Sequence, residues 1–315
     1  MGILESLDEI RHAEGEALVD WEAAGAAAIA STPRGSLDLD DGQRRAYHDS
    51  VVEAKNAVEG VVHTEIELPQ RIEILDRHHW IDRTAMAFER IVEPTLPETT
   101  SPDVARSINT TTASFTLAVL GRRVVGQYEP ALFGSPEDRA LYIVHPNVIR
   151  MADELDVPVG PFRRWVIHHE VSHAAEFHLA PWLVTYLEER IEKAISNILH
   201  GHLDRVALRE LTLAMTVVEG FAELLMDEAM ADDVDYLRDR LEARRAGLGP
   251  LTQLIDWFLG ITAKRKQYEW GRAFFLEVAS KRGLDATLAV WEDPDHLPSD
   301  RELNDPDRWI ERVDP

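Results

Sequence analysis

The residues best suited to chemistry lie between positions 165 and 180, where the sequence contains the pattern His169-Glu170-x-x-His173. On a helix, side chains four residues apart lie on the same face, so the imidazoles of His169 and His173 can bind one metal ion. Glu170 lies one step around the helix and can reach a water on that ion as a general base. The pattern is typical of a zinc hydrolase, and we predict a helix over about 161–179 to carry it.

A zinc site built on two histidines needs a third protein ligand and leaves one position for water. A histidine six residues after His173 would be one option, but Leu179 stands there. His178 lies five residues from His173 and points away from the shared face, so we interpret it as a core or surface histidine. The third ligand must therefore come from another part of the chain.

The better candidate is the stretch at 218–225, where Glu219 and Glu223 lie four residues apart in an otherwise apolar helical pattern. Buried carboxylates are rare unless they are paired or bind a metal. We therefore predict that Glu219 is the third ligand, and that Glu223 accepts the Nδ1 proton of a ligating histidine. The alternative is a buried salt bridge to Arg205 or Arg209.

These residues predict hydrolysis of a peptide or amide bond. One zinc ion would lower the pKa of its water and polarise the carbonyl group, while Glu170 takes the proton and returns it to the leaving amine. A further donor is expected for the oxyanion, and Tyr268 is the candidate. The alternative is that Tyr268 packs with Trp257 and Trp270 in the core.

The composition limits the kind of site and the kind of partner. The 315 residues include no cysteine, so a metal must be bound by histidines and carboxylates. A net charge of −24 argues against nucleic acids and anionic membranes as partners. The acidic residues are dispersed and lysine is scarce, which favours a halophilic protein adapted to high internal salt over one with an acidic surface for a basic partner. The acidic N-terminus does not resemble a signal peptide and no stretch is long enough to span a bilayer, so we expect a cytoplasmic protein.

The elements that must position these residues are mostly helices. Helical periodicity and capping residues predict helices at about 3–31, 40–60, 80–92, 104–119, 147–155, 161–179, 181–200, 203–230, 232–246 and 251–279. Two short β-branched and aromatic runs, 123–130 and 140–145, predict a small hairpin or paired strands before the His-Glu-x-x-His helix. The fold is therefore expected to be mainly α. The proline-rich segment 93–108 suggests an N-terminal helical region, 1–100, and a metal-binding catalytic region, 101–315, with one continuous domain as the alternative.

The His-Glu-x-x-His helix followed by Glu219 resembles the gluzincin arrangement. The whole chain is similar to a zincin-like family of hydrolases or zinc-dependent metallopeptidases that is associated with deazaflavin coenzyme biosynthesis and found in actinobacteria and haloarchaea. The resemblance covers nearly the full length and is carried by eight stretches: Val19-Asp-Trp21, Leu75-Asp-Arg-His-His-Trp80-Ile, Gly126-Gln-Tyr-Glu129, Val144-His-Pro-Asn147, the His-Glu-x-x-His helix, Glu219-Gly-Phe-Ala-Glu-Leu-Leu-Met-Asp227, Gln267-Tyr268-x-x-Gly271, and Trp291 to Trp309 with Leu297-Pro298 and Asp305-Pro306.

The resemblance implies a zincin-like helical core, a zinc ion on His169, His173 and Glu219, and Glu170 as the base. This chain departs from the pattern in two ways: Glu223 stands where gluzincins commonly have Asp, and the 45 residues between His173 and Glu219 suggest an extra helix beside the cleft. We therefore predict a zinc metallopeptidase that acts on a peptide or amide substrate. The alternatives are a zinc-stabilised scaffold or binding protein without activity, and a non-peptide amide hydrolase linked to coenzyme metabolism.

Overall fold

The computed structural model describes residues 18–93, 103–199, 204–230, 237, 240 and 261–315. A small sheet is formed by β1 (Arg71–Leu75), β2 (Gly126–Glu129) and β3 (Ala140–Val144). The helices are α1 (Trp21–Ser31), α2 (Asp41–Val62), α3 (Arg77–Val92), α4 (Asp103–Gly121), α5 (His145–Glu154), α6 (Val159–Leu179), α7 (Trp182–Leu199), α8 (Arg205–Ala229), α9 (Ile261–Arg282), α10 (Asp300–Asn304) and α11 (Pro306–Val313). The predicted mainly α fold with a small sheet is confirmed. Within the described ranges, no helix combines the length and the apolar character needed to cross a membrane.

The chain forms two compact units, each assembled from separate stretches of sequence. The first contains Met1–Asp41, Pro69–Met151 and Ile191–Asp204, and the second contains Gly42–Leu68, Ala152–Arg190 and Arg205–Pro315. Every candidate ligand and the candidate base lie in the second unit. The predicted boundary at residue 100 falls outside the described residues, and that division stays a prediction.

The first unit is built around strand β3. This strand pairs in parallel with β1 and antiparallel with β2, and all five of its residues are buried. Its unbroken apolar sequence is typical of a strand covered on both faces. The predicted pairing of the runs near 123–130 and 140–145 is confirmed as β2 and β3. Strand β1 was not predicted, because its five residues lead straight into a helix and its partner lies far along the chain.

The first described helix is shorter than predicted. The helix expected over 3–31 begins at Trp21, because Asp20 caps it: the Asp20 Oδ1 accepts a hydrogen bond from the backbone N–H of Ala23 at 2.9 Å. Residues 1–17, which the prediction also included, lie outside the described residues, as do most of the helix predicted at 232–246 and the first part of the one predicted at 251–279.

In the second unit, helices α8 and α9 cross in close contact. A Cβ atom on Gly220 would lie 2.4 Å from the carbonyl carbon of Gly271, and one on Gly271 would lie 2.3 Å from the carbonyl oxygen of Thr216. Only glycine leaves room for backbones at this separation. Helix α9 continues through Gly271 without a break.

Aromatic rings next to this crossing form the core of the second unit. The Phe221 ring, on α8, lies 5.1 Å from Phe275 on α9 and 5.2 Å from Trp291, measured between ring centroids. Phe274 lies 5.3 Å from Trp309 on α11 in an edge-to-face arrangement. Because Gly220 and Phe221 directly follow Glu219 in the chain, the crossing and this core fix the part of α8 that carries Glu219.

Candidate metal centre

Helix α6 presents His169 and His173 side by side. The two imidazole rings meet edge to face, with centroids 4.5 Å apart and planes at 77°. Their Nε2 atoms are 3.1 Å apart. The helix ends at Leu179, two residues before Pro181, so the histidines lie well inside it and are held by regular helical backbone. His169 and His173 therefore lie on the same face of the helix, as their i, i+4 spacing predicted.

Glu219 brings its carboxylate to the same point from helix α8. Its Oε2 lies 3.7 Å from Nε2 of His169, and one ligand atom from each of Glu219, His169 and His173 lies within 4.8 Å of the others. The three side chains are 19%, 21% and 13% exposed, so the group is sheltered but reachable. The alternative of a salt bridge to Arg205 or Arg209 is not seen among the described residues, where Glu219 pairs with His169 and Arg209 pairs with Asp300 at 2.6 Å.

His173 is supported by a residue that the sequence reasoning missed. Its Nδ1 lies 2.8 Å from Oε2 of Glu176, three residues further along α6, and the Glu176 side chain is 0% exposed. Burial lowers the pKa of His173, but the neighbouring carboxylates, Glu176 first, raise it well above its usual range. The i, i+3 spacing was the signal that could have identified Glu176.

His169 is supported differently. Its Nδ1 is buried and has no hydrogen-bond partner among the described residues. Its ring instead stacks on Trp165, with centroids 5.9 Å apart and planes at 7°, and Trp165 stacks in turn on Phe162 at 6.0 Å and 11°. Trp165 also packs against Met226 and Met230 near the end of α8. Ring stacking and packing, and not a hydrogen bond to Nδ1, therefore orient His169.

Glu170, the predicted base, follows His169 directly in helix α6 and is buried. The residue is 6% exposed. Its charge acts on His173 closely enough to raise the pKa of that histidine. The structure thus has a buried carboxylate in the same helix as the two histidines, near enough to His173 to act on it electrostatically.

The roles predicted for Glu223 and Tyr268 have different outcomes. Among the described residues, Nδ1 of His173 bonds Glu176 and Nδ1 of His169 has no partner, so neither histidine gives its Nδ1 proton to Glu223. That prediction is wrong, because a carboxylate on α6 itself lies closer. The backbone of Tyr268 belongs to α9, but its side chain lies outside the described residues, and its role stays a prediction. Among the described residues His178 is not part of the group of donor atoms, and its Nδ1 accepts a hydrogen bond from the backbone N–H of Glu67 at 3.4 Å.

The donor set fits a zinc ion. Imidazole nitrogens and a carboxylate oxygen are ordinary zinc ligands, and in a tetrahedral site with bonds of about 2.0–2.1 Å they lie about 3.4 Å apart. The separations of 3.1 and 3.7 Å bracket that value. Because Nδ1 of His173 lies against a carboxylate, Nε2 is the nitrogen left to give its lone pair to a metal ion once its proton is displaced. A cation offsets the repulsion among these lone pairs and the negative charges of Glu170, Glu176 and Glu219.

The chain is similar to a known protein family and to a solved structure. The model of a family described as zincin-like metallopeptidase matches residues 19–203 and 197–310. No curated protein matches the chain. A solved structure from Chloroflexus aurantiacus, described as a "putative hydrolase with a novel fold", is similar over 94% of this chain and 99% of its own, with 26% sequence identity and a TM-score of 0.78.

Proposed function

The chain belongs to the zincin-like metallopeptidase family, and from that premise we propose that it is a zinc-dependent hydrolase of peptide or amide bonds. In this proposal His169, His173 and Glu219 bind the ion and Glu170 is the general base. The observation that carries it is the meeting of three donor atoms within 4.8 Å, with the buried carboxylate of Glu170 in the same helix.

Each residue has a defined task in the proposed reaction. When bound, zinc supplies a Lewis acid that polarises the substrate carbonyl and acidifies water. Glu170 removes a proton from the attacking water and then donates it to the leaving amine, so that the amine departs neutral. Burial of Glu170 limits competition from bulk water for that proton. The edge-to-face histidines and Glu219 keep the reaction centre beside this carboxylate.

The decisive experiment replaces Glu170 with glutamine. The side chain keeps its size but cannot accept the proton, so Glu170→Gln should bind one equivalent of zinc and lose hydrolysis of a quenched fluorescent peptide library. Metal analysis and turnover measured on the same preparation give both readouts. Unchanged turnover in Glu170→Gln would overturn Glu170 as the base. A wild-type protein that binds zinc and cuts no peptide, but melts at a much lower temperature after chelation, would instead support the zinc-stabilised scaffold.

Narrower expectations from the sequence belong to the same proposal. They are a peptide as the amide substrate, a cytoplasmic location, operation at high salt, and a link to deazaflavin coenzyme biosynthesis in actinobacteria or haloarchaea. High-salt operation is supported by the net charge of −24 with few lysines. It predicts that stability rises as potassium chloride is added, since salt screens the repulsion among dispersed acidic residues.

A further inference from the structure

We propose that Glu176 is a positioning residue for the metal centre, which holds His173 in the tautomer and orientation needed to bind zinc. The inference rests on the proposed function, because it concerns a ligand of the same site. It starts from one contact: Nδ1 of His173 donates to Oε2 of Glu176 at 2.8 Å. Glu176 itself is fully buried.

A buried carboxylate needs hydrogen-bond donors or a positive charge nearby, and Glu176 has few such partners apart from His173. Burying an unpaired charge is costly, so such groups usually accept several hydrogen bonds. Glu176 Oε1 has no hydrogen-bond partner among the described residues, and burial raises the pKa of Glu176 although His173 and the backbone N–H of Ala222 oppose that rise. Its single strong hydrogen bond is therefore the one from a ligand histidine.

Another buried glutamate of the same unit shows what a purely structural carboxylate looks like. Glu302 accepts from the backbone N–H and the hydroxyl of Ser299 at 2.7 and 2.8 Å, and from Nε of Arg312 at 2.6 Å. It completes a helix cap and an ion pair. Glu176 makes neither kind of contact among the described residues, so capping and pairing with arginine do not explain its burial.

The hydrogen bond has a defined consequence for His173. When a carboxylate holds the Nδ1 proton, Nε2 is the nitrogen left to bind a metal ion, and the ring becomes more basic. That Nε2 is the atom 3.1 Å from Nε2 of His169. An ion bound at Nε2 would in turn compensate the buried carboxylate of Glu176 through the ring of His173.

The test compares the zinc affinity of the wild type, Glu176→Gln and Glu176→Ala, by competition with a chelator. Glutamine keeps an oxygen that can accept the Nδ1 proton but removes the charge, and alanine removes both. Loss of such a partner typically weakens metal binding about 10- to 100-fold. We expect a loss near the lower end of that range for glutamine and near the upper end for alanine. Cobalt substituted for zinc should show a changed visible absorption spectrum in both variants, because the geometry at His173 changes.

A control separates positioning from general stability. Glu302→Gln also removes a buried carboxylate, so it should lower the melting temperature while zinc affinity and the cobalt spectrum stay those of the wild type. Glu176→Gln should show the reverse, with the zinc-free melting temperature close to that of the wild type. If Glu176→Ala does not fold, the zinc affinity of the isosteric variant Glu176→Gln still tests the role of Glu176.

The outcomes separate this inference from the proposal on which it rests. Zinc binding by the wild type with equal affinity in Glu176→Gln would overturn the role of Glu176 and leave the proposed function standing. A wild type that binds no zinc would overturn the proposed function and this inference with it.

Discussion

The two helices that supply the candidate metal centre are positioned by different means. Helix α6 carries its own support: Trp165 stacks on His169 four residues later, and Glu176 bonds His173 three residues earlier. Helix α8 supplies Glu219, and what places that carboxylate is the crossing of α8 with α9 at two glycines.

One half of the site is therefore positioned by contacts within a single helix, and the other half by the packing of two helices. Contacts within α6 form whenever that helix forms, because i, i+3 and i, i+4 neighbours share a face. Glu219, in contrast, reaches the histidines only when α8 has packed against α9. Disturbing the crossing should therefore remove one ligand, whereas disturbing the support of a histidine should only loosen a ligand that remains in place.

The largest effect is expected from Gly220→Ala. A new Cβ would lie 2.4 Å from the backbone of Gly271, so α8 and α9 must separate. Overpacking of this kind typically costs about 1–3 kcal/mol, and contact with backbone places this case at the upper end or beyond. Chemical denaturation of the zinc-free protein measures the loss. Zinc competition should show a further loss of affinity, because Glu219 precedes the displaced residue.

The matched control for this substitution lies on α6. A Cβ on Gly160 would meet no atom within 4 Å, so Gly160→Ala should be neutral or stabilise the protein by about 0.4–1 kcal/mol. Equal stability of the Gly220 and Gly160 variants would contradict the close crossing as the device that places Glu219.

A smaller effect is expected from Trp165→Leu. Leucine keeps apolar contact with Met226 and Met230 but cannot stack on the His169 ring. Aromatic pairs contribute about 0.5–1.5 kcal/mol beyond buried area, which corresponds to about a two- to tenfold loss of zinc affinity if the stack orients the ligand. The loss of unfolding free energy should stay below the about 3–5 kcal/mol of a full truncation.

Trp270→Leu serves as its control, because Trp270 is 42% exposed and lies in the same unit. The two variants each lose one indole ring, so a common loss of tryptophan cannot explain a difference between them. Identical zinc affinities and identical cobalt spectra for the two would refute the stack on Trp165 as a support of His169.

The same contrast explains how much of the molecule could be predicted from the sequence. The α6 helix was predicted to within two residues at its start, since periodicity and Pro181 mark its ends. The meeting of Glu219 with the histidines was predicted from the rarity of carboxylates in an apolar helix. Strand β1 was missed because the information for its pairing lies in a distant partner, β3. The partner of Gly220 across the helix crossing, Gly271, could not be read for the same reason.

The carboxylate behind His173 was misassigned for a different physical reason. Glu223 was favoured because it lies one turn from Glu219, but nearness along α8 does not show which face meets the histidines. Glu176 satisfies the i, i+3 rule within α6, but it was not considered as a partner of His173. Its surroundings are mainly apolar, and the sequence alone did not reveal that the carboxylate points inward to a ring nitrogen.

The smallest effect is therefore expected from Glu223→Gln. Neither ligand histidine gives its Nδ1 proton to Glu223. Removing a carboxylate that does accept such a proton weakens metal binding at least about 10-fold, so Glu223→Gln should lower zinc affinity by much less than that. Chelator competition on Glu223→Gln and Glu176→Gln side by side measures the difference directly. If the Glu223 variant lost more affinity than the Glu176 variant, the histidines on α6 would depend more on a residue of α8 than on one of their own helix. The contrast between α6 and α8 would then not hold. A larger loss of zinc affinity in the Glu176 variant than in the Glu223 variant would instead mean that α6 alone supplies two ligands and the hydrogen bond that orients one of them.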